Sequence, residues 1–146
     1  MSNDVQFLET CEVLLDSKYA KILYSATYEA IICVAVADFI PKNEFEPIFR
    51  QAGTEIKAKN AKRMVFDKRN FKIFDQPSMI WYHIILKPEI KATTGMVTYR
   101  KLLPDDKTFR MSVEIGRKHI KTHNPEFNFE DFDIKYMDSM EEALTK

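Results

Sequence analysis

The sequence predicts a single α/β domain with a mixed, mostly parallel sheet of four to five strands and about four helices packed on it. A β-hairpin pattern lies at residues 20–37, and apolar strands then alternate with amphipathic helices along the rest of the chain. Alternating strands and helices are joined by crossover connections, which make neighbouring strands parallel. The length of 146 residues fits one domain, residues 1–146, with its core at about 20–145.

The hairpin consists of a strand at residues 20–26, a turn at 27–29 and a strand at 30–37. The second strand is almost continuously apolar, which is typical of a strand covered on both faces, so we expect it at the centre of the sheet. Ahead of the hairpin, residues 5–16 are apolar enough for an extra strand or a short helix. Their periodicity does not decide between the two.

The clearest helix is predicted over residues 43–60. Its apolar residues fall at i, i+3, i+4, i+7 and i+11 and form one stripe of Phe45, Ile48, Phe49, Ala52 and Ile56. Asn43 and Glu46 have the spacing of a capping box at its start. A short strand at residues 63–66 follows and ends at Asp67.

A second helix is predicted to begin at Asp75 or Gln76 and to continue to Leu86. It is apolar on most sides, so it should be largely buried. Pro88 should end this helix or limit its last turn, because the residue before a proline is biased away from the helical conformation. A strand at residues 95–103 follows it.

The last two helices are predicted from their caps. Asp105 or Asp106 caps a third helix, and the Asn-Pro pair at residues 124–125 stops it. A final strand at residues 132–136 alternates apolar and polar residues. Residues 138–141 then have a capping-box pattern that opens a short terminal helix.

This order of elements resembles that of the STAS domain family. The resemblance rests on the order β-β-α-β-α-β-α-β-α, the buried hairpin strand, the strand that ends at Asp67, the Trp-bearing helix after it and the passage from strand to helix at residues 132–144. It covers residues 20–145, and the chain is most similar to the stand-alone SpoIIAA-like group. The resemblance implies a non-enzymatic binding or regulatory module that acts through protein–protein interaction.

The family resemblance also implies a candidate phosphorylation site. In the anti-sigma-factor antagonists of the family, the phosphorylated Ser or Thr follows an Asp at the end of a strand. Here Asp67 is followed by Lys68 and Arg69, and the next candidate phosphoacceptor is Ser78. The alternative for Ser78 is an ordinary first-turn helix residue with local backbone hydrogen bonds.

Rare residues exclude several kinds of site. Three widely separated glycines cannot form the glycine-rich loops that hold nucleotide phosphates. Two cysteines without a C-x-x-C motif cannot form a four-cysteine zinc site. No catalytic motif is present, so we expect no enzymatic activity, no cofactor and no metal, with an unrecognised hydrolase as the weakest alternative. The pI near 6.8 argues against nucleic acid as a partner.

We also expect a cytoplasmic protein. No stretch approaches the roughly 18 apolar residues that a transmembrane segment needs. The amino-terminal residues lack the basic and apolar regions of a secretory signal.

The net charge of zero conceals a charge pattern along the chain. Residues 1–56 carry a formal charge of −5, residues 57–121 carry +10, and residues 122–146 carry −5. Within the basic part, Lys68, Arg69, Arg100 and Lys101 are the candidate binding residues for an anion or an acidic partner, since ligands of open α/β sheets lie outside the carboxyl ends of the strands. The alternative is solvated surface charge that is balanced by the acidic segments.

Two functions from different classes therefore follow. The first is a STAS-like module that binds an as yet unknown protein partner. The second is a carrier of a small anionic or lipid ligand, with the apolar helix around Trp81 and Tyr82 as the candidate pocket beside the basic loops. The sequence leaves open whether the protein forms a homodimer.

Overall fold

Six strands form one mixed sheet in the computed structural model, which describes residues 4–146. They lie in the sheet in chain order as β1 (Glu12–Asp16), β2 (Ala20–Ser25), β3 (Ala30–Ala35), β4 (Arg63–Asp67), β5 (Thr98–Leu102) and β6 (Asp133–Tyr136). β1, β2 and β3 pair antiparallel, and β3 to β6 pair parallel. The predicted α/β class and its mixed sheet are confirmed, with one strand more than predicted.

The additional strand comes from residues 5–16, which form both of the predicted alternatives in succession. The helices are α1 (Asp4–Leu8), α2 (Lys42–Lys59), α3 (Gln76–Trp81), α4 (Lys87–Thr94), α5 (Lys107–His123) and α6 (Met140–Thr145). A π-helical turn, Tyr82–Leu86, joins α3 to α4, and a 3-10 turn, Phe129–Asp131, precedes β6.

The sheet separates two hydrophobic clusters. The larger cluster lies between the sheet and the face covered by α2, α3, the π turn, α4 and α5, and the smaller cluster lies under α1 and α6. β3 is buried on both sides, because Ile31 and Cys33 belong to the larger cluster while Ala30 and Ile32 belong to the smaller one. This confirms the central position expected of the apolar hairpin strand.

Aromatic side chains form the middle of the larger cluster. Phe45 and Phe49 of α2 stack with their ring centroids 4.0 Å apart. Phe49 also contacts Phe66 of β4 at 4.6 Å and the edge of Tyr82 at 5.4 Å. These contacts join α2, the sheet and the π turn into one packed unit.

The helix that follows β4 continues well past the predicted end at Pro88, so that prediction was wrong. α4 extends to Thr94, and Pro88 stands in its first turn. The π turn explains why the helix tolerates the proline. Its wider hydrogen bonding, in which Lys87 N–H donates to the carbonyl of Tyr82, gives way to α-helix immediately before Pro88. At this point a residue without an N–H costs the helix little.

Of the helix caps predicted from the sequence, the cap of α5 is confirmed and the cap of α2 is wrong. The cap of α5 is confirmed, because Asp106 accepts hydrogen bonds from the N–H groups of Thr108 and Phe109. The capping box at Asn43 was wrong, since α2 begins at Lys42 after Pro41, which makes no side-chain cap. The cap of α6 is Ser139, which accepts from the N–H of Glu142.

None of the helices within residues 4–146 combines the length and the apolar composition that a membrane crossing requires.

Replacing Phe49 by alanine should destabilise the protein strongly. Phe49 is fully buried against three other aromatic rings, and such a truncation costs about 3 to 5 kcal/mol. We expect this loss in the free energy of unfolding measured by urea denaturation. Met111→Ala is the control, because Met111 is exposed and its truncation should change stability by less than about 0.5 kcal/mol. Equal losses for the two variants would contradict the assignment of the core.

Candidate functional site

Two of the predicted binding residues meet at the carboxyl ends of neighbouring parallel strands. Lys68 directly follows β4, and Lys101 is the penultimate residue of β5. The backbone N–H of Lys68 donates to the carbonyl of Leu102 at 2.8 Å, which continues the pairing of the two strands. Both side chains are buried, with 2% and 1% of their surface exposed.

Lys68 and Lys101 line a small cavity between the strand ends, α3, the π turn and α5. Its volume is about 20 Å³, which is room for one water molecule or one small ion. His83 and Arg117 also line it, beside Gln76, Met79 and apolar side chains. Among the described residues, no aspartate or glutamate contributes to its wall. We call this space the cationic cavity.

In the cavity wall, His83 lies between two lysines. Nδ1 of its ring is 3.1 Å from Nζ of Lys87, and Nε2 is 3.4 Å from Nζ of Lys101. A neutral imidazole has one donor nitrogen and one acceptor nitrogen. It therefore accepts from one lysine and donates to the other, and the lysine that receives this hydrogen bond must be an uncharged amine.

Lys87, His83 and Lys101 form a hydrogen-bonded series, and the surroundings of Lys87 favour it as the charged residue of that series. Its Nζ lies 4.7 Å from the ring centroid of Tyr82 and 4.5 Å from that of Tyr99. Aromatic faces attract an ammonium group, most strongly where water is excluded. With Lys87 protonated, Nδ1 of His83 accepts a hydrogen bond from its ammonium group, and Nε2–H donates to an uncharged Lys101.

Burial favours the neutral forms of the three lysines and of His83. Burial, followed by repulsion from Arg117, lowers the pKa of Lys68 to about 7. Burial also holds the pKa values of Lys87 and Lys101 well below those of ordinary lysines, and the neighbouring cations add to the effect. The pKa of His83 is lowered by burial and then by Lys87 and Lys101, so its ring stays neutral.

An apolar groove adjoins the cationic cavity on its outer side. It has a volume of about 440 Å³ and runs between residues 72–76 and α5. Ile73, Phe74, Phe109 and Ile115 give it an apolar lining, and Ile73 and Ile115 are more than 60% exposed. We call this space the outer groove.

Gln76 and Gly116 stand at the passage between the two spaces, since both residues line both. Nε2 of Gln76 donates to the carbonyl of Gly116 at 3.3 Å. A Cβ atom on Gly116 would lie 2.7 Å from Oε1 of Gln76, so the absence of a side chain lets the amide sit there. The Gln76 amide therefore lies between the groove and the cavity.

Arg69 and Arg100, the other two predicted binding residues, do not line the cavity. Arg69 forms an ion pair with Asp67 at 2.8 Å and another with Asp4. Arg100 projects to the opposite face of the sheet from Lys101, where it contacts Asp133 at 3.0 Å and the backbone oxygen of Lys146 at 2.9 Å. These two arginines balance acidic residues within the protein.

Ser78, the candidate phosphoacceptor, lies in the first turn of α3 and is fully buried. Its hydroxyl donates to Oδ2 of Asp75 at 2.7 Å, and its backbone N–H donates to the same oxygen at 3.0 Å. A kinase would reach this hydroxyl only after the first turn of α3 had opened.

Trp81 and Tyr82, the candidate pocket residues, belong to the hydrophobic core. Trp81 contacts Phe45 edge-on, and the guanidinium of Arg50 lies 5.3 Å from its ring. Tyr82 contacts Phe49 and Phe66. Neither side chain lines the cationic cavity or the outer groove.

Three residues of the site are not among the binding residues predicted from the sequence: His83, Lys87 and Arg117. A signal for two of them was present, because His83 and Lys87 stand four residues apart in a segment that is otherwise mostly apolar. Side chains at this spacing share one face of a helix. Arg117 carried no comparable signal among the many cations of α5.

Comparison of this chain with family models, with curated proteins and with solved structures found no match. The fold and the site define it as an α/β protein with a mixed sheet and a buried cationic cavity at the carboxyl edge of its parallel strands.

The lowered pKa of Lys68 predicts a stability that rises with pH. Between pH 7 and the ordinary lysine value of 10.5, the unfolded chain binds a proton at Lys68 that the folded protein does not. The free energy of unfolding therefore increases through this window, by an amount on the order of several kcal/mol. Lys68→Met should raise stability at pH 7 and reduce the slope, as measured by urea denaturation at a series of pH values.

The matched control is Lys118→Met, which removes an exposed lysine of α5 and should leave the slope unchanged. A slope that is the same in Lys68→Met as in the unaltered protein would contradict the burial of this lysine.

Proposed function

We propose that this protein binds a small organic anion with an apolar chain and acts as a ligand-binding or carrier protein. The observation that carries the proposal is the cationic cavity, whose walls hold Lys68, His83, Lys101 and Arg117 without a carboxylate among the described residues. The role is non-enzymatic, and a cytoplasmic location is part of the proposal.

The electrostatics of the cavity favour an anionic ligand. Burying a charged group without a partner costs several kcal/mol, so the lysines lose protons when no anion is near. The guanidinium of Arg117 adds a further cation at the cavity wall. A bound carboxylate would offset the charge of Arg117 and would favour protonation of the neighbouring lysines.

The outer groove suggests the rest of the ligand. Its volume of about 440 Å³ is within the usual range of small-molecule sites, and its apolar lining suits an alkyl chain. The groove and the cavity meet at Gln76 and Gly116. A ligand with its chain along Phe74 and Ile115 in the groove would direct its carboxylate towards the cavity.

The proposed class is a STAS-like domain of the stand-alone SpoIIAA-like kind. The order of elements from the hairpin to α6 supports this class.

A protein partner is the second candidate, and a specific surface favours it. Ile73, Met111 and Ile115 expose 62%, 61% and 63% of their surface around the outer groove. A partner that covers this apolar face would explain their exposure. Partner binding and ligand binding would then compete for the same groove.

Octanoate is a suitable probe for the ligand site. Isothermal titration should show binding of one octanoate per chain, and Arg117→Met should weaken it about tenfold or more, because a hydrogen bond to a charged group contributes about 1.5 to 3 kcal/mol. Lys118→Met is the matched control and should bind as the unaltered protein does. The absence of octanoate binding, together with a partner that is lost in Met111→Asp, would favour the second candidate.

Octanoate affinity should fall as the pH rises above about 7. A bound carboxylate raises the pKa of Lys68 from the value of about 7 that it has in the free site, so binding takes up a proton. Titrations at pH 6.5 and pH 8.5 should show weaker binding at the higher pH, and Lys68→Met should reduce this difference. An affinity independent of pH would contradict the placement of the carboxylate beside the lysines.

A further inference from the structure

We propose that the exposed face of α5 docks the protein on an anionic lipid bilayer, with apolar side chains entering the lipid and lysines contacting the headgroups. The docking face consists of three exposed apolar side chains and three exposed lysines: Ile73, Met111, Ile115, Lys72, Lys107 and Lys118. The inference goes beyond the proposed ligand, because a bilayer would contact this outer surface and not the cationic cavity.

α5 places apolar and basic side chains along one exposed row. Lys107, Met111 and Ile115 follow one another at intervals of four residues, and Lys118 stands three residues after Ile115. Side chains three or four residues apart are neighbours on one face of a helix. The buried residues of α5 lie on its opposite side, so this row is free of contacts with the core.

The segment before α3 extends the apolar part of the docking face. Ile73 and Ile115 both line the outer groove, and Lys72 lines it next to Ile73. The three apolar side chains, with Met111, are each more than 60% exposed. Neighbouring exposed apolar residues with a polar rim are typical of a surface that contacts a protein or a membrane.

The lysines of the docking face are not balanced by acidic side chains. Within residues 4–146, none of Lys72, Lys107 and Lys118 forms an ion pair, whereas several cations elsewhere on the surface do. α5 has five lysines and arginines and one acidic residue, Glu114. Asp106 lines the groove, but its side chain accepts hydrogen bonds from the first N–H groups of α5. The docking face therefore has an excess of positive charge.

The composition of the docking face favours a bilayer over a protein partner. The centres of protein interfaces are depleted in lysine and enriched in aromatic residues. Here lysines stand directly beside the apolar side chains, and none of the three exposed apolar residues is aromatic. Helices that lie on membranes combine lysine or arginine with apolar residues in this way, and anionic headgroups attract the cations. A small apolar patch among lysines thus complements an anionic bilayer.

Co-sedimentation with lipid vesicles tests the proposal on the unaltered protein. Vesicles with equal amounts of phosphatidylcholine and phosphatidylglycerol should bind the protein at least about tenfold more tightly than vesicles of phosphatidylcholine alone, because each lysine near an anionic surface contributes about fivefold in affinity. Added sodium chloride should weaken this binding, since salt screens exposed charges. Equal binding to the two kinds of vesicle, or binding to neither, would overturn the proposal.

A matched pair of lysine variants locates the charged contact. Lys118→Gln should weaken binding to the mixed vesicles about fivefold. Lys21→Gln is the control, because Lys21 is an exposed residue of β2 and its neighbour Ile22 belongs to the larger cluster, which places Lys21 on the opposite face of the sheet. This control should bind as the unaltered protein does. Equal losses in the two variants would show that the docking face is not the contact.

A matched pair of apolar variants tests entry into the lipid. Ile115→Gln should weaken binding to the mixed vesicles about tenfold or more, because the apolar surface of Ile115 would no longer be buried. Val13→Gln is the control, since Val13 of β1 is also exposed, by 59%, and lies outside the docking face. Unchanged binding of Ile115→Gln would contradict the insertion of this side chain.

The bilayer, the protein partner and the ligand have separate outcomes. If the mixed vesicles did not bind and Met111→Asp abolished binding of a protein, the docking face would be a protein interface and the bilayer proposal would fail. Titration with octanoate without vesicles reports on the ligand site alone. The bilayer proposal can therefore fail while the proposed function stands, and the reverse also holds.

Discussion

A cluster of buried basic side chains is the constraint on which the site depends. Lys68, Lys87 and Lys101 surround His83 in a region from which water is largely excluded. Repulsion among these groups and the loss of hydration act in the same direction, and both push protons off the lysines. The cluster is therefore held as amines and imidazole that share protons, and an anion would restore its charge.

The cluster packs against an aromatic core, because Lys68 lies over Phe66 and Lys87 lies over Tyr82. The stacked rings of Phe45 and Phe49, together with Phe66 and Tyr82, join α2, β4 and the π turn on one side of the sheet. The π turn then leads into α4 without a break, although Pro88 stands there. As a result, His83 and Lys87 lie on one continuous helical segment, and both side chains are buried.

The net charge of zero has a spatial explanation. Arg69 and Arg100 pair with Asp67 and Asp133, so part of the basic segment is balanced internally. Lys68 and Lys101 are the immediate chain neighbours of these arginines, but they turn into the cavity away from the acids. Adjacent residues of the chain therefore differ in role: the arginines form structural ion pairs, and the lysines line the cavity.

The sequence by itself determined the α/β class, the central hairpin strand, the stripe of α2 and the cap of α5, because these follow from periodicity and local hydrogen bonding along the chain. It also singled out Lys68 and Lys101. It could not show that Arg69 and Arg100 are paired elsewhere, that Trp81 and Tyr82 fill the core, or that His83, Lys87 and Arg117 complete the site. These features depend on contacts between residues that are distant in the chain, so only the tertiary structure decided them.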